Sequence, residues 1–232
     1  MKKKDKIDQN FYTAVKLFNK EKIFYWIGQG SLLGIIRENK LIEWDHDIDI
    51  CLWSHENKKI NVKKLLEKKG FTYRVDLGFG KKYDQMSFDK KGGRRVDINF
   101  YKQGIDKNGK KIAYTKWGIP KNRVMKLLDA ISNADNYNSR YKFFINKLTI
   151  LKNIANFIKK ILIKNNFFFK YAGYKQPLEF LTKFKKINFH GLSFRIPFYH
   201  NQYLEYIYGK DWIIPLKKFS WWKMKNLKTQ YD

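Results

Sequence analysis

The chain has 232 residues, of which 44% are hydrophobic and 18% aromatic, so it has enough apolar material to fold and is not a disordered chain. Its single cysteine excludes an internal disulfide framework and favours a reducing compartment such as the cytoplasm. The formal net charge of +28 indicates a polyanionic partner, although abundant lysine, asparagine and isoleucine are also what A/T-rich codons produce.

The length and hydropathy of the chain limit its organisation. We expect one domain over residues 1–232 with a helical insertion near residues 120–185. No uninterrupted apolar run reaches the roughly 18 residues of a membrane span, and residues 1–10 precede no apolar run of signal-peptide length. The expected location is the cytoplasm, with peripheral contact to the inner face of the membrane left open.

Helices and strands are predicted to alternate in the first hundred residues. In chain order the predictions are a helix over 8–19, a strand over 23–27, a helix over 32–37, a strand over 47–52, a lysine-rich helix over 55–69, and strands over 71–77, 83–88 and 95–101. Gly92 and Gly93 predict a hairpin between the last two strands.

Residues 141–170 carry a basic amphipathic pattern that predicts one helix or two. The apolar residues at steps of three and four are Phe144, Leu148, Leu151, Ala155, Ile158 and Leu162, and the interleaved lysines are Lys142, Lys147, Lys152, Lys159, Lys160 and Lys164. A helix that packs on the core with a solvated lysine face has this pattern, and so does a helix that lies in a membrane interface. Beyond it, residues 186–215 are predicted to form short strands and a helix.

The most informative residues are two aspartates on the predicted strand 47–52. Positions two apart in a strand share a face, so Asp47 and Asp49 project side by side while Ile48 and Ile50 enter the core. Two neighbouring carboxylates repel each other, and a divalent cation that bridges them removes the repulsion. Oxygen ligands favour Mg²⁺, with Mn²⁺ as a substitute, and such a metal commonly binds substrate phosphate as well.

A phosphate site is predicted beside these acids at Gly30 and Ser31, where a strand passes into a helix. The unpaired N–H groups of a helix N-terminus favour a bound phosphate. A calcium loop beginning at Asp45 is not favoured, because Ile50 stands where such a loop needs glycine, whereas a solvated acidic turn remains an alternative. His46 is interpreted as structural and Cys51 as a core residue.

A third acid is predicted on the strand 95–101. Val96, Ile98 and Phe100 share one face of this strand, which places Asp97 on the other.

These residues resemble the LicD and fukutin-related family of phosphotransferases. The similar segments are 30–37 (GSLLGIIR), 41–50 (LIEWDHDIDI), 95–98 (RVDI), 192–197 (LSFRIP), 203–204 (YL) and 208–212 (YGKDW). The first two match the signature of the family nearly position for position. His46 departs from the family, which usually has another acid at this position, and residues 120–185 match no known pattern.

The resemblance implies an α+β fold with a nucleotidyltransferase-like core, a small mixed sheet flanked by helices, and an added basic amphipathic helical region. It implies transfer of phosphocholine or an alditol phosphate from a CDP-linked donor to a sugar hydroxyl of a cell-surface glycan, or of a lipid-linked glycan, with release of CMP.

The resemblance also implies the site residues. Asp47 and Asp49 would bind the metal, and Asp97 would add a third ligand or accept the proton of the acceptor. Gly30, Ser31 and Arg37 would bind substrate phosphate.

Two other classes of function remain open from the sequence. A nucleotidyltransferase acting on nucleic acid or on a small molecule would use the same glycine, serine and aspartates, and the charge of +28 would suit a nucleic-acid backbone. A basic binding module without enzymatic activity is the third class. The paired carboxylates favour an enzyme, and the family resemblance favours glycan over nucleic acid.

Overall fold

The structure is a computed structural model that describes residues 7–55, 59–74, 84–133 and 141–217. The chain forms two compact units. The described residues of the first unit are 7–55, 59–74, 84–115 and 173–217, and those of the second unit are 116–133 and 141–172. The expectation of a single domain with an insertion near 120–185 stays a prediction.

The helices of the first unit begin and end at local signals in the sequence. They are α1 (Gln9–Lys20), α2 (Gln29–Glu38), α3 (Lys59–Glu67) and α7 (His200–Tyr208). Asp8 caps α1, because its carboxylate accepts hydrogen bonds from the backbone N–H groups of Asn10 at 2.9 Å and Phe11 at 3.1 Å. Asn39 ends α2 in the left-handed conformation.

A mixed sheet forms the centre of the first unit. Its path runs β1 (Trp26–Ile27), β2 (Asp47–Trp53), β5 (Arg95–Ile105), β4 (Gln85–Asp89) and β3 (Thr72–Tyr73). The central pair, β2 and β5, is parallel, and the neighbouring pairs along the path are antiparallel. The predicted hairpin between the strands around 83–88 and 95–101 is therefore confirmed as the pair β4 and β5.

The core of the first unit lies on both sides of this sheet and under a separate hairpin. That hairpin pairs β8 (Phe184–Phe189) with β9 (Leu192–Pro197). The core includes Phe11 and Phe18 of α1, which are fully buried, as are Ile48 and Ile50 of β2. Phe11 makes edge-on contacts with Phe189 and Phe194 of the hairpin, with ring centroids 5.8 and 5.5 Å apart.

The second unit contains α4 (Arg123–Ser132), α5 (Lys142–Lys147), a short 3₁₀ segment (Thr149–Leu151) and α6 (Lys152–Lys164). Strands β6 (Lys111–Pro120) and β7 (Phe169–Pro177) pair with each other. A small apolar cluster around Phe168 and Phe169 packs with Met125, Leu128, Leu162 and Ile163. The pattern at 141–170 thus forms two helices and then a strand that starts at Phe169.

The mixed α+β class with a sheet flanked by helices is confirmed. The strand predicted over 23–27 is shorter in the structure, since only Trp26 and Ile27 pair with β2. Parts of the strands predicted over 71–77 and 83–88 lie outside the described residues. Among the described helices, none combines the length and the apolarity that crossing a bilayer requires.

Candidate active site

The parallel pairing of β2 with β5 brings the predicted acids together. Asp49 lies opposite Asp97, and Asp47 lies opposite Arg95. Paired residues of neighbouring strands share a face of the sheet, so all four side chains emerge on one side while Ile48 and Ile50 are buried on the other. The structure therefore places Asp97 on the face of Asp47 and Asp49.

Arg95 connects two of these carboxylates. Its Nη2 lies 2.6 Å from Asp47 Oδ2, and its Nε lies 3.1 Å from Asp97 Oδ1. The neighbouring Asp97 and Asp47 raise the pKa of the guanidinium above its ordinary value, so Arg95 stays charged. Arg95 thus pairs with two of the acids, and the charge of Arg94 also acts on Asp45 and that of Arg74 on Asp97.

Asp49 is tied to the start of α2. The backbone N–H of Gly30 donates to Asp49 Oδ2 at 3.2 Å, the Asn99 amide donates to Oδ1 at 3.4 Å, and the Asp49 backbone N–H donates to Ser31 Oγ at 2.9 Å. Burial raises the pKa of Asp49 well above its ordinary value, and the charges of Asp47, Asp45 and Asp97 raise it further. The helix N-terminus predicted to bind phosphate therefore contacts a carboxylate of the cluster in this structure.

Asp45 joins the cluster as a residue that the sequence analysis did not assign to the site. A Cβ atom on Gly30 would lie only 2.5 Å from Asp45 Oδ2, so the close approach of this carboxylate requires glycine at position 30. Burial, and then the charge and hydrogen bond of Asp47, raise the pKa of Asp45 to about 7. The sequence contained a signal for Asp45, because residues 45, 47 and 49 are two apart and would share one face of a continuous strand.

Asp97 is the most enclosed acid of the set, with 4% of the residue exposed. Burial raises its pKa to about 6 although the charge of Arg95 opposes the rise. The Ser87 hydroxyl hydrogen-bonds to it from β4, and Gln85 Nε2 donates to its Oδ2 at 3.4 Å. Its Oδ1 has the Arg95 ion pair and no further hydrogen bond.

Gln29 is a second residue that the sequence analysis missed. It begins α2 with a φ of 41°, a left-handed conformation that is uncommon for glutamine. Its buried amide donates from Nε2 to the Tyr101 hydroxyl at 2.8 Å and accepts at Oε1 from the Cys51 thiol at 3.4 Å. Residue type alone gives no signal for such a conformation.

Arg37 lies at the other end of α2 in an intramolecular ion pair. Its guanidinium contacts the Glu38 carboxylate, and Nη1 donates to the Trp212 carbonyl at 3.4 Å. The side chain is 6% exposed. Its role in phosphate binding stays a prediction, and that role requires the guanidinium to exchange Glu38 for the substrate.

The C-terminal segment of the first unit contributes tyrosines near the acids. Burial and the charge of Asp49 raise the pKa of Tyr174, and burial with neighbouring Tyr174 and Asp49 raises that of Tyr208. Cys51 is buried, as expected for a core residue. His46 is exposed, and its backbone N–H donates to Asp45 Oδ1 at 3.0 Å.

The chemistry of the cluster fits a hard divalent cation. It offers four carboxylates, the charges of Arg95, Arg94 and Arg74 balance them only in part, and Asp97 Oδ1 is buried with ligand capacity to spare. In the described ranges no three acidic, histidine or cysteine side chains already form a metal cage. Because Arg95 lies between Asp47 and Asp97, closing a cage requires its guanidinium to move.

The sequence around the acid cluster is similar to a known protein family. Residues 22–128 match the family model described as LicD/FKTN/FKRP, nucleotidyltransferase domain. The matched range contains β2, β5 and all four aspartates of the cluster. No curated protein matches the chain in sequence.

Two solved structures illustrate the structural matches. The lincomycin-bound crystal structure of the lincosamide antibiotic adenylyltransferase LnuA is 12% identical over 86% of each chain, with a TM-score of 0.42. The solution structure of the antibiotic-resistance factor ANT(2'')-Ia is 11% identical over 68% of this chain and 91% of that chain, with a TM-score of 0.32. Both scores are too low to support an argument about this chain.

Proposed function

We propose a function from the premise that this chain belongs, through residues 22–128, to the LicD/FKTN/FKRP nucleotidyltransferase-domain family, which makes it a transferase. The proposed reaction moves a phospho-alcohol, such as phosphocholine or an alditol phosphate, from a CDP-linked donor to a sugar hydroxyl of a glycan or lipid-linked glycan. CMP is the second product.

The observation that carries the proposal is the face shared by Asp47, Asp49 and Asp97. A row of partly buried carboxylates costs folding free energy, so its presence calls for a functional reason. A diphosphate donor that arrives with a divalent cation would neutralise these acids. The N-terminus of α2 lies beside them and adds favourable potential for phosphate.

Asp47, Asp49 and Asp97 are the residues that would hold Mg²⁺ or Mn²⁺. A bound divalent ion polarises phosphoryl oxygens and neutralises charge on the departing nucleotide. Ser31 helps to hold Asp49 in place, because its hydroxyl accepts a hydrogen bond from the backbone N–H of Asp49. Gly30 leaves the room that Asp45 and the substrate need.

The transfer itself is a single displacement at phosphorus. The acceptor hydroxyl oxygen forms a bond to the phosphorus that bears the alcohol, and the bond from that phosphorus to the bridging oxygen of CMP breaks. The hydroxyl proton passes to a base, and Asp97 is the candidate for this role in the alternative in which Asp47 and Asp49 alone hold the metal.

The test is product analysis on the purified full chain with a set of CDP-linked donors and Mg²⁺. Release of CMP by mass spectrometry is the expected result. Release of pyrophosphate from a nucleoside triphosphate, without CMP from any CDP-linked donor, would instead identify nucleotidyl transfer and refute the proposal.

Substitution of the paired acids tests the metal role. Asp47→Asn and Asp49→Asn should each lower CMP release by about 10²-fold or more, because each removes a charged ligand. EDTA should abolish activity, and excess Mg²⁺ should restore it. Asp106→Asn is the matched control, since Asp106 is a hairpin acid outside the site, and it should keep normal turnover. Full activity of Asp49→Asn or in EDTA would refute the metal role.

A further inference from the structure

Helix α6 of the second unit presents its apolar residues to the outside. Ile154, Phe157 and Ile161 are 59%, 66% and 45% exposed, and they recur at helical steps of three and four with Ile158. The residues on the opposite side of the helix, Ala155 and Lys159, are each only 4% exposed. We name the four exposed side chains, Ile154, Phe157, Ile158 and Ile161, the α6 apolar face.

This orientation is fixed by an ion pair in which the lysine is buried and the aspartate is partly exposed. Lys159 Nζ lies 2.7 Å from Asp129 Oδ1 of α4, 3.3 Å from the Ser132 hydroxyl, and 5.6 Å from the centre of the Phe168 ring. Turning the apolar face inward would expose Phe168 and separate Lys159 from its partners. The outward apolar face is therefore the orientation that the packing of this unit selects.

Large apolar side chains are also exposed in neighbouring segments of the same unit. Phe143 and Phe144 of α5 and Ile150 of the 3₁₀ segment are 68%, 65% and 86% exposed. The four side chains of the α6 apolar face form one stripe along the helix, and exposure of this kind marks a surface that binds something apolar.

The charge of the surface identifies the class of partner. Residues 141–172 contain no aspartate or glutamate, and Lys160 and Lys164 lie exposed on the flank of the α6 apolar face. A partner must therefore be apolar where Phe157 and Ile161 insert and negative around them. Nucleic acid presents phosphate without an apolar layer, and a second copy of this unit would bring the same lysines into repulsion.

We propose that α5 and α6 form a docking surface for an anionic lipid bilayer, with the α6 apolar face inserted at the level of the headgroups and Lys160 and Lys164 contacting anionic lipid. This surface lies within the second unit and does not depend on the acid cluster. It is independent of the proposed reaction.

The test is co-sedimentation of the full chain with vesicles of phosphatidylcholine alone or of equimolar phosphatidylglycerol and phosphatidylcholine. Binding is expected to the anionic vesicles only, and added salt should weaken it. Lys160→Gln/Lys164→Gln should weaken binding roughly 30-fold, from about a kcal/mol for each lysine near the surface. Phe157→Ser/Ile161→Ser should weaken it by about tenfold or more. Both doubles replace exposed side chains, so circular dichroism should show an unchanged fold.

Lys107→Gln/Lys110→Gln is the matched control, because it removes the same charge from an exposed hairpin turn of the first unit and should bind as the unaltered chain does. Equal binding to neutral and anionic vesicles, or binding to neither, would overturn the proposal. A second result would also overturn it. The unaltered chain would form a dimer in analytical ultracentrifugation, Phe157→Ser/Ile161→Ser would return it to a monomer, and neither protein would bind vesicles.

Discussion

Helices α1 and α6 have similar patterns in sequence and opposite orientations in the structure. In α1 the apolar side chains Phe11, Val15 and Phe18 are fully buried against the sheet and the β8–β9 hairpin. In α6 the side chains of the α6 apolar face point outward, whereas Lys159 is buried beside Ala155, and Leu162 and Ile163 pack on the Phe168 cluster. Amphipathic spacing thus shows that a helix has two faces, but the neighbours of the helix decide which of them is buried.

The largest expected effect on stability comes from replacing one phenylalanine in each of the two helices by alanine. Phe18→Ala should lower the free energy of unfolding by about 3 to 5 kcal/mol, because it leaves a cavity in the core. Phe157→Ala should change it by less than about 0.5 kcal/mol, because Phe157 is exposed. Urea unfolding followed by circular dichroism measures both. Similar losses for the two would show that the α6 apolar face is covered.

The two units also differ in how they treat buried charge. In the second unit Lys159 Nζ lies 2.7 Å from Asp129 Oδ1. The first unit groups Asp45, Asp47, Asp49 and Asp97, and Arg95 pairs with two of them, Asp47 and Asp97. Burial, and then the charges of the neighbouring acids, raise the pKa of Asp45 and Asp49. A balanced pair serves structure, whereas an unbalanced cluster is suited to a cationic ligand.

The second largest expected effect is on turnover, and it tests whether Asp97 has a functional role or only a structural one. Asp97→Asn should lower turnover per folded molecule by about 10²-fold, because it removes a metal ligand or base. Lys159→Met should do the reverse, lowering the melting midpoint while turnover stays normal, because it breaks a pair that only holds two helices together. Near-normal turnover of Asp97→Asn with a lowered midpoint would make Asp97 a structural partner of Arg95.

The smallest expected effect is a change of stability with pH that is caused by Asp45. Its pKa is about 7 in the folded protein against about 3.9 for an unfolded chain, so the folded state binds the proton more tightly. Stability therefore falls as pH rises from about 4 to 7, and the loss is complete above pH 7. Asp45→Asn should stabilise the protein by on the order of 1 kcal/mol at pH 8, after allowance for partial exposure, and by little at pH 4.

Thermal unfolding across this pH range measures the Asp45 effect. If Asp45→Asn raised the melting midpoint equally at pH 4 and pH 8, the ionisation of Asp45 would not be the cause of the stabilisation. Added Mg²⁺ should raise the midpoint of the unaltered chain at pH 8, and to a smaller extent that of the variant.

Much of the site could be predicted because strand parity is a simple rule. Alternation placed Asp47 and Asp49 on one face and Asp97 on the face opposite to Val96, and the pairing of β2 with β5 then joined them. The same parity extended to Asp45, which the sequence analysis left out because the predicted strand began at Asp47. Periodicity also predicted most of the described helices and strands up to Arg95, although the strand predicted over 23–27 is shorter in the structure.

Other features depend on tertiary contacts that periodicity does not encode. The left-handed backbone of Gln29 is held by Tyr101 and Cys51, and the burial of Lys159 by Asp129. Arg37 looked like a free phosphate ligand in sequence, but Glu38 and the Trp212 carbonyl, a residue 175 positions away, contact its guanidinium. Glu38 is adjacent in sequence, but no local pattern could have supplied the Trp212 carbonyl or the partners of Gln29 and Lys159.

The register of β5 also sets an order of events during folding. Its pairing with β4 needs only a short hairpin, whereas Asp47 and Arg95, which face each other across β2 and β5, are 48 positions apart in the chain. Closing the longer loop costs more chain entropy, so the hairpin should form first and β2 should dock onto it afterwards. Asp97 stays apart from Asp47 and Asp49 until that docking step. We expect the repulsion between Asp97 and these two acids to oppose docking, and Arg95, which lies on β5, to favour it by pairing with Asp47.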